Sequence, residues 1–99
     1  MYDVVLEKII QFISDTPSIR NILDVGCGEG FYARQIQQRT ERNIFAFDLS
    51  REAIQIASKK DKRKAVKWFV TDLSKIPLKD GSMDCILDIF SPAHYKEFQ

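Results

Sequence analysis

Three glycines and three aspartates are the residues of this sequence best placed to do chemistry. Gly26, Gly28 and Gly30 punctuate the stretch Ile22-Leu23-Asp24-Val25-Gly26-Cys27-Gly28-Glu29-Gly30-Phe31, directly after an apolar run and directly before a segment with helical periodicity. Glycine lets the backbone of such a loop approach a ligand, because a side chain there would fill the space the ligand needs. Asp48 ends a second apolar run, Asn43-Ile44-Phe45-Ala46-Phe47, where a carboxylate can accept hydrogen bonds from a ribose. Asp24 precedes the glycine loop and Asp72 follows a third apolar run, so the three carboxylates gather at one edge of any parallel sheet these runs build. The pattern describes a crevice for a nucleoside.

The spacing narrows the ligand. A dinucleotide-binding G-x-G-x-x-G would need its third glycine at position 31, where Phe31 stands, and no G-x-x-x-x-G-K-[ST] is present. A pyrophosphate would be repelled by the three carboxylates, whereas a ligand carrying an ammonium and a sulfonium would tolerate them. A nicotinamide-binding oxidoreductase module is therefore the disfavoured alternative. Cys27 and Cys85 are far apart in sequence and neither has a second cysteine beside it, which supports neither a metal site nor a disulfide framework. His94, the single histidine, has no ligand partners in view, so no metal site is expected.

The elements that must position these residues follow from periodicity. Val5, Leu6, Ile9, Phe12 and Ile13 recur at helical spacing over Tyr2 to Ser14, and Asp15-Thr16-Pro17-Ser18 stops that helix. Ile19 to Val25 reads as a strand feeding the glycine loop, and Phe31 to Gln38 as a helix that starts on it. The unit then repeats. Ile44 to Phe47 is a strand, Ser50 caps a helix running to Lys60, and Val66 to Val70 is a third strand ending at Thr71-Asp72. Lys79-Asp80-Gly81-Ser82 supplies a turn, and Met83 to Phe90 is a fourth strand, apolar enough to lie centrally. Strands joined by helical crossovers predict an α/β, Rossmann-like parallel sheet with helices on both faces and spatial strand order 3-2-1-4.

Size and composition bound the rest. At 99 residues the chain fits one domain with a thin core, burying about 60–65% of the surface its unfolded form exposes. A net charge of +1 exerts no global pull on nucleic acid or membrane. No apolar stretch approaches the ~20 residues of a membrane span and the N-terminus lacks a signal-peptide order, so a cytoplasmic location is expected. Lys59, Lys60, Lys62, Arg63 and Lys64 form a basic cluster broken only by Asp61; it reads first as a solvated helix end and second as a contact for RNA phosphates.

Leu23-Asp24-Val25-Gly26-Cys27-Gly28-Glu29-Gly30 resembles the first motif of class I S-adenosylmethionine-dependent methyltransferases. Phe47-Asp48-Leu49-Ser50 with Ala53-Ile54 resembles their second motif, and Asp72 to Asp84 resembles the third motif and the run into strand four. The likeness covers nearly all of residues 20–92, in the family's order and spacing. Gly28-Glu29-Gly30-Phe31-Tyr32, Ser82-Met83-Asp84 and Ile89-Phe90-Ser91-Pro92 further resemble bacterial large-subunit ribosomal RNA guanine-N1 methyltransferases. Those proteins also carry an N-terminal zinc-binding cysteine cluster and a longer C-terminal half, and this sequence has neither.

The resemblance implies S-adenosylmethionine as cofactor, S-adenosylhomocysteine as product, and ribosomal RNA as a partner of the parent protein; a small-molecule methyltransferase is the alternative within the class. It implies that Gly26, Cys27, Gly28 and Gly30 lay loop backbone against the methionine and ribose part of the cofactor. Asp24 would hold the loop or face the ammonium, Asp48 would take both ribose hydroxyls, and Asp72 would accept from the adenine amino group while Leu49 and Leu73 cover the adenine faces. Ser91 and Pro92 would line the transfer site. No residue is identified as a catalytic base. The chain is expected to be the N-terminal part of a single cofactor-binding domain, truncated after strand four and inactive alone. Its apolar Met83–Phe90 strand is expected to drive self-association or to be covered by another chain.

Overall fold

The computed structural model describes residues 3–71 and 81–88. Helix α1 (Val4–Ser14) begins at Asp3, whose extended backbone and side chain cap it by accepting the N–H of Leu6 at 3.0 Å. Its apolar face buries Leu6, Ile10 and Ile13. Strand β1 (Asn21–Val25) leads through the glycine loop into α2 (Phe31–Thr40), followed by β2 (Asn43–Asp48), α3 (Arg51–Lys60), β3 (Val66–Val70) and β4 (Cys85–Leu87). Ser50 caps α3 as its sequence position predicts, accepting from Ala53 N at 3.1 Å.

All strands pair in parallel in the order β3-β2-β1-β4, which is the expected order. Register puts Ile22, Ile44, Val66 and Cys85 in one row, and Asp24, Ala46, Trp68 and Leu87 in the next row of the same face. That face meets α1 and α2 in one core built on Ile13, Ile22, Ile36 and Ile44, the largest fully buried side chains. Ala57 of α3 reaches the same face at Trp68. The three helices of the described residues thus form one layer. The opposite face carries Leu23, Phe45, Phe47, Phe69 and Ile86. The helices expected on the opposite face are not found among the described residues.

Strand β4 is shorter than the expected Met83–Phe90. Asp84 still donates its own N–H to the Asn21 carbonyl at 2.8 Å, while its carboxylate accepts the N–H groups of Arg20 and Asn21 at 3.0 and 2.9 Å, and those bonds hold its pKa below the usual carboxylate range. Ile89 and Phe90 lie outside the described residues. Among the described residues β4 pairs only with β1, forms the sheet edge rather than a central strand, and leaves Ile86 64% exposed. No helix among them is long and apolar enough to cross a membrane.

Three polar anchors were not visible in the sequence. The Arg42 guanidinium donates to the carbonyls of Ile19, Thr40 and Ile13, stapling α1 and α2 to the lead of β1. Asp61, 7% exposed, turns inward to accept from Val66 N at 3.0 Å and Trp68 Nε1 at 3.1 Å. Asp3 accepts Tyr32 Oη at 2.6 Å besides capping α1, so one carboxylate joins two helices. Asp3→Ala is expected to destabilise the protein through the loss of a cap plus one bond. Urea unfolding would read this as a lower midpoint at unchanged slope.

Candidate functional site

The glycine loop leaves the carboxyl end of β1 with Gly26, Gly28 and Gly30 at φ of 66°, 59° and 80°. It is tied to β2 twice: Cys27 N donates to the Phe47 carbonyl at 2.9 Å, and Gly28 N donates to Asp48 Oδ2 at 2.9 Å. Asp48 Oδ1 accepts from Ser50 N, also at 2.9 Å, and its carbonyl accepts from Thr71 N at 3.1 Å. A single carboxylate thereby fixes the glycine loop and the start of α3.

Asp24 lies in the row facing the helices and is 3% exposed. No hydrogen bond reaches its side chain from the described residues. Burial, with Asp88 and Asp48 nearby, raises its pKa from 3.8 to about 7. The same surroundings push the Cys27 thiol up, favouring its neutral form. Asp24 and Asp48 are therefore brought together as expected, and a third carboxylate joins them that the sequence reading passed over. Asp88 was taken only as part of an apolar strand. Its signal was the recurrence of an aspartate at each strand's carboxyl end. Asp72 and Leu73, the expected adenine contacts, and Ser91 and Pro92 lie outside the described residues.

Leu49 follows Asp48 and is 75% exposed, an apolar side chain held at the mouth of the crevice. Gly30 has a packing duty besides the ligand clearance expected of it. A Cβ there would sit 2.5 Å from the Trp68 ring and 2.9 Å from Ala57 Cβ. Gly30 also opens α2 without a side-chain cap, so the N–H groups of that helix's first turn face the loop without one.

The structure is similar to the crystal structure of YcgJ from Bacillus subtilis, with a TM-score of 0.71 at 22% identity over 84% of this chain and 36% of that one. Among curated proteins the chain is 35% identical, over 98% of its length and 36% of the relative's, to Bacillus subtilis YxjB, provisionally named a 23S rRNA (guanine-N(1)-)-methyltransferase. It is 30% identical, over 79% of its length and 29% of the relative's, to the malonyl-[acyl-carrier protein] O-methyltransferase of Serratia marcescens. The chain thus spans about a third of the length of the curated relatives it matches. The family model described as "Methyltransferase domain" matches residues 22–99, a span that holds the glycine loop, Asp24 and Asp48. By that match the chain belongs to the methyltransferase domain family, whose cofactor is S-adenosylmethionine.

Proposed function

We propose that this chain is the cofactor-binding, N-terminal part of a methyltransferase domain whose acceptor is a guanine of ribosomal RNA. The observation that carries the cofactor site is the pairing of a braced ribose acceptor, Asp48, with a buried carboxylate, Asp24, that no described residue hydrogen-bonds, across one glycine loop. Asp48 would take the ribose hydroxyls, Asp24 the ammonium, and Leu49 one face of the adenine. Asp72 and Leu73 keep the adenine roles that the resemblance gives them. The uncapped start of α2 would complement the cofactor's carboxylate.

When bound, S-adenosylmethionine supplies a methyl group on a sulfonium. The protein's own contribution is alignment and a fixed electrostatic setting. Asp24 and Asp88 would hold the cationic end of the ligand in a crevice where an anionic pyrophosphate is unfavourable. Cys27, kept neutral, adds no charge there.

The RNA acceptor rests on the identity to YxjB across nearly the whole chain, and with it the cytoplasm as compartment. A malonyl-carrier acceptor is the second reading, supported by the O-methyltransferase relatives. Exposed Ile86, on the sheet face opposite the described helices, supports cover by further segments of the parent protein or by a second copy.

Asp48→Ala should weaken S-adenosylhomocysteine binding by about 3 kcal/mol, two charge-assisted bonds being lost, which is roughly a hundredfold. Unchanged affinity would remove Asp48 from the site. The acceptor is tested by supplying the parent protein with labelled S-adenosylmethionine and either unmodified ribosomal RNA or a malonyl-carrier. Label recovered as 1-methylguanosine supports the RNA reading, and label on the malonyl carboxylate replaces it.

A further inference from the structure

Helix α2 and the end of α3 with the turn after it enclose an open groove of about 240 Å³. Arg34 and a row of glutamines from α2 line one wall, and Lys60, Lys62 and Arg63 line the other. Its volume falls short of the ~300–1,000 Å³ typical of a pocket that encloses a small ligand, so it suits contact with part of a longer chain.

Among the described residues most of the positive charge of this groove has no carboxylate partner. Asp61, the acid within the basic run, spends its carboxylate inward on Ala65 N, Val66 N and Trp68 Nε1. Lys64 takes a left-handed φ of 51° and donates its N–H to the Asp61 carbonyl, curling Lys62 and Arg63 back beside the helices. Among the described residues neither of them, nor Arg34, has a carboxylate partner. Lys60 pairs with Glu29 of the glycine loop at 3.2 Å, with both side chains more than half exposed.

A solvated helix end does not account for the arrangement. Lys59 and Lys60 already occupy the last turn of α3, where cations complement the helix dipole. Lys62 and Arg63 lie past it. Arg34 sits in the amino-terminal half of α2, the half whose dipole disfavours a cation, and its buried Nε–H has no acceptor among the described residues.

We propose that this groove holds the phosphodiester backbone of the RNA acceptor, with the guanidinium and ammonium groups on phosphate oxygens and the glutamine amides available to the sugar hydroxyls. The inference rests on the RNA reading above and adds to it a contact surface on the helix layer, remote in sequence from the acceptor-side residues Ser91 and Pro92.

The test is fluorescence anisotropy of a labelled RNA hairpin titrated with the chain at several salt concentrations, for the wild type and for Lys62→Glu/Arg63→Glu. The wild type should bind with a log–log salt slope of about −2 to −3, and the double variant should bind at least about tenfold more weakly with a slope smaller by about 2. S-adenosylhomocysteine binding, measured on the same two proteins, should be the same. Equal RNA affinity and slope in the variant would overturn the proposal. So would displacement of the RNA by inorganic phosphate at equal phosphate concentration, which marks a small-anion site, or by poly-L-glutamate at equal charge, which marks a surface for acidic proteins. Loss of cofactor binding in the wild type with the RNA results intact would instead overturn the methyltransferase site and leave the groove standing.

Discussion

Gly30→Ala should remove about 3–5 kcal/mol of stability, a large share of the roughly 5–15 kcal/mol expected for a domain of this size. Two costs add. The backbone at φ 80° is one that a side chain adopts only at about 1–2 kcal/mol, and the new methyl would sit 2.5 Å from the Trp68 ring. The ring cannot swing away cheaply, because its Nε1 is held by buried Asp61, and the new methyl would also meet the Cβ of Ala57 on α3 at 2.9 Å. Trp68 is the single tryptophan, so its fluorescence follows the unfolding directly. Wild-type stability in Gly30→Ala would show that the loop repacks without cost.

The second large effect concerns Asp24 and depends on pH. Its folded pKa of about 7 lies above the unfolded 3.8. The folded state therefore binds the extra proton, and the stability linked to it is fully present below about pH 4 and lost as pH rises through about 7. The span of about three pH units corresponds to about 4 kcal/mol. Asp24→Asn, neutral at every pH, should match the wild type in stability at pH 4 and exceed it by up to about 4 kcal/mol at pH 8. It should bind S-adenosylhomocysteine more weakly, because the ligand's ammonium loses its carboxylate. Opposite signs for stability and binding are expected of a residue retained for a ligand. In the wild type, binding near neutral pH should release a proton from Asp24, read as a heat that changes with the ionisation enthalpy of the buffer. Urea midpoints of the two proteins that stay parallel from pH 4 to pH 8 would contradict the buried neutral carboxyl.

Much of this was legible locally. The strand order follows from alternating apolar runs and helical crossovers, Ser50 caps α3 where its position predicts, and the glycine loop turns at the residues that mark it. What was hidden depends on how the elements pack against one another. Asp61 reads as an interruption in a basic run, and only the packing of β3 against α3 turns it inward onto Trp68. Gly30 reads as clearance for a ligand, and only the fold brings the Trp68 ring beneath it. Arg42 reads as a surface charge until three carbonyls from separate segments converge on its guanidinium. Asp88 was obscured by the apolar residues before it, although pairing of β4 with β1 sets it close enough to raise the pKa of Asp24.

The central claim is that the crevice formed by the glycine loop, Asp24 and Asp48 takes a cationic nucleoside cofactor. Isothermal titration of the purified chain with S-adenosylhomocysteine, and separately with NAD, tests it most directly. Saturable heat with S-adenosylhomocysteine at one site per chain, and none with NAD, is the result expected. Saturable heat with NAD and none with S-adenosylhomocysteine would contradict it.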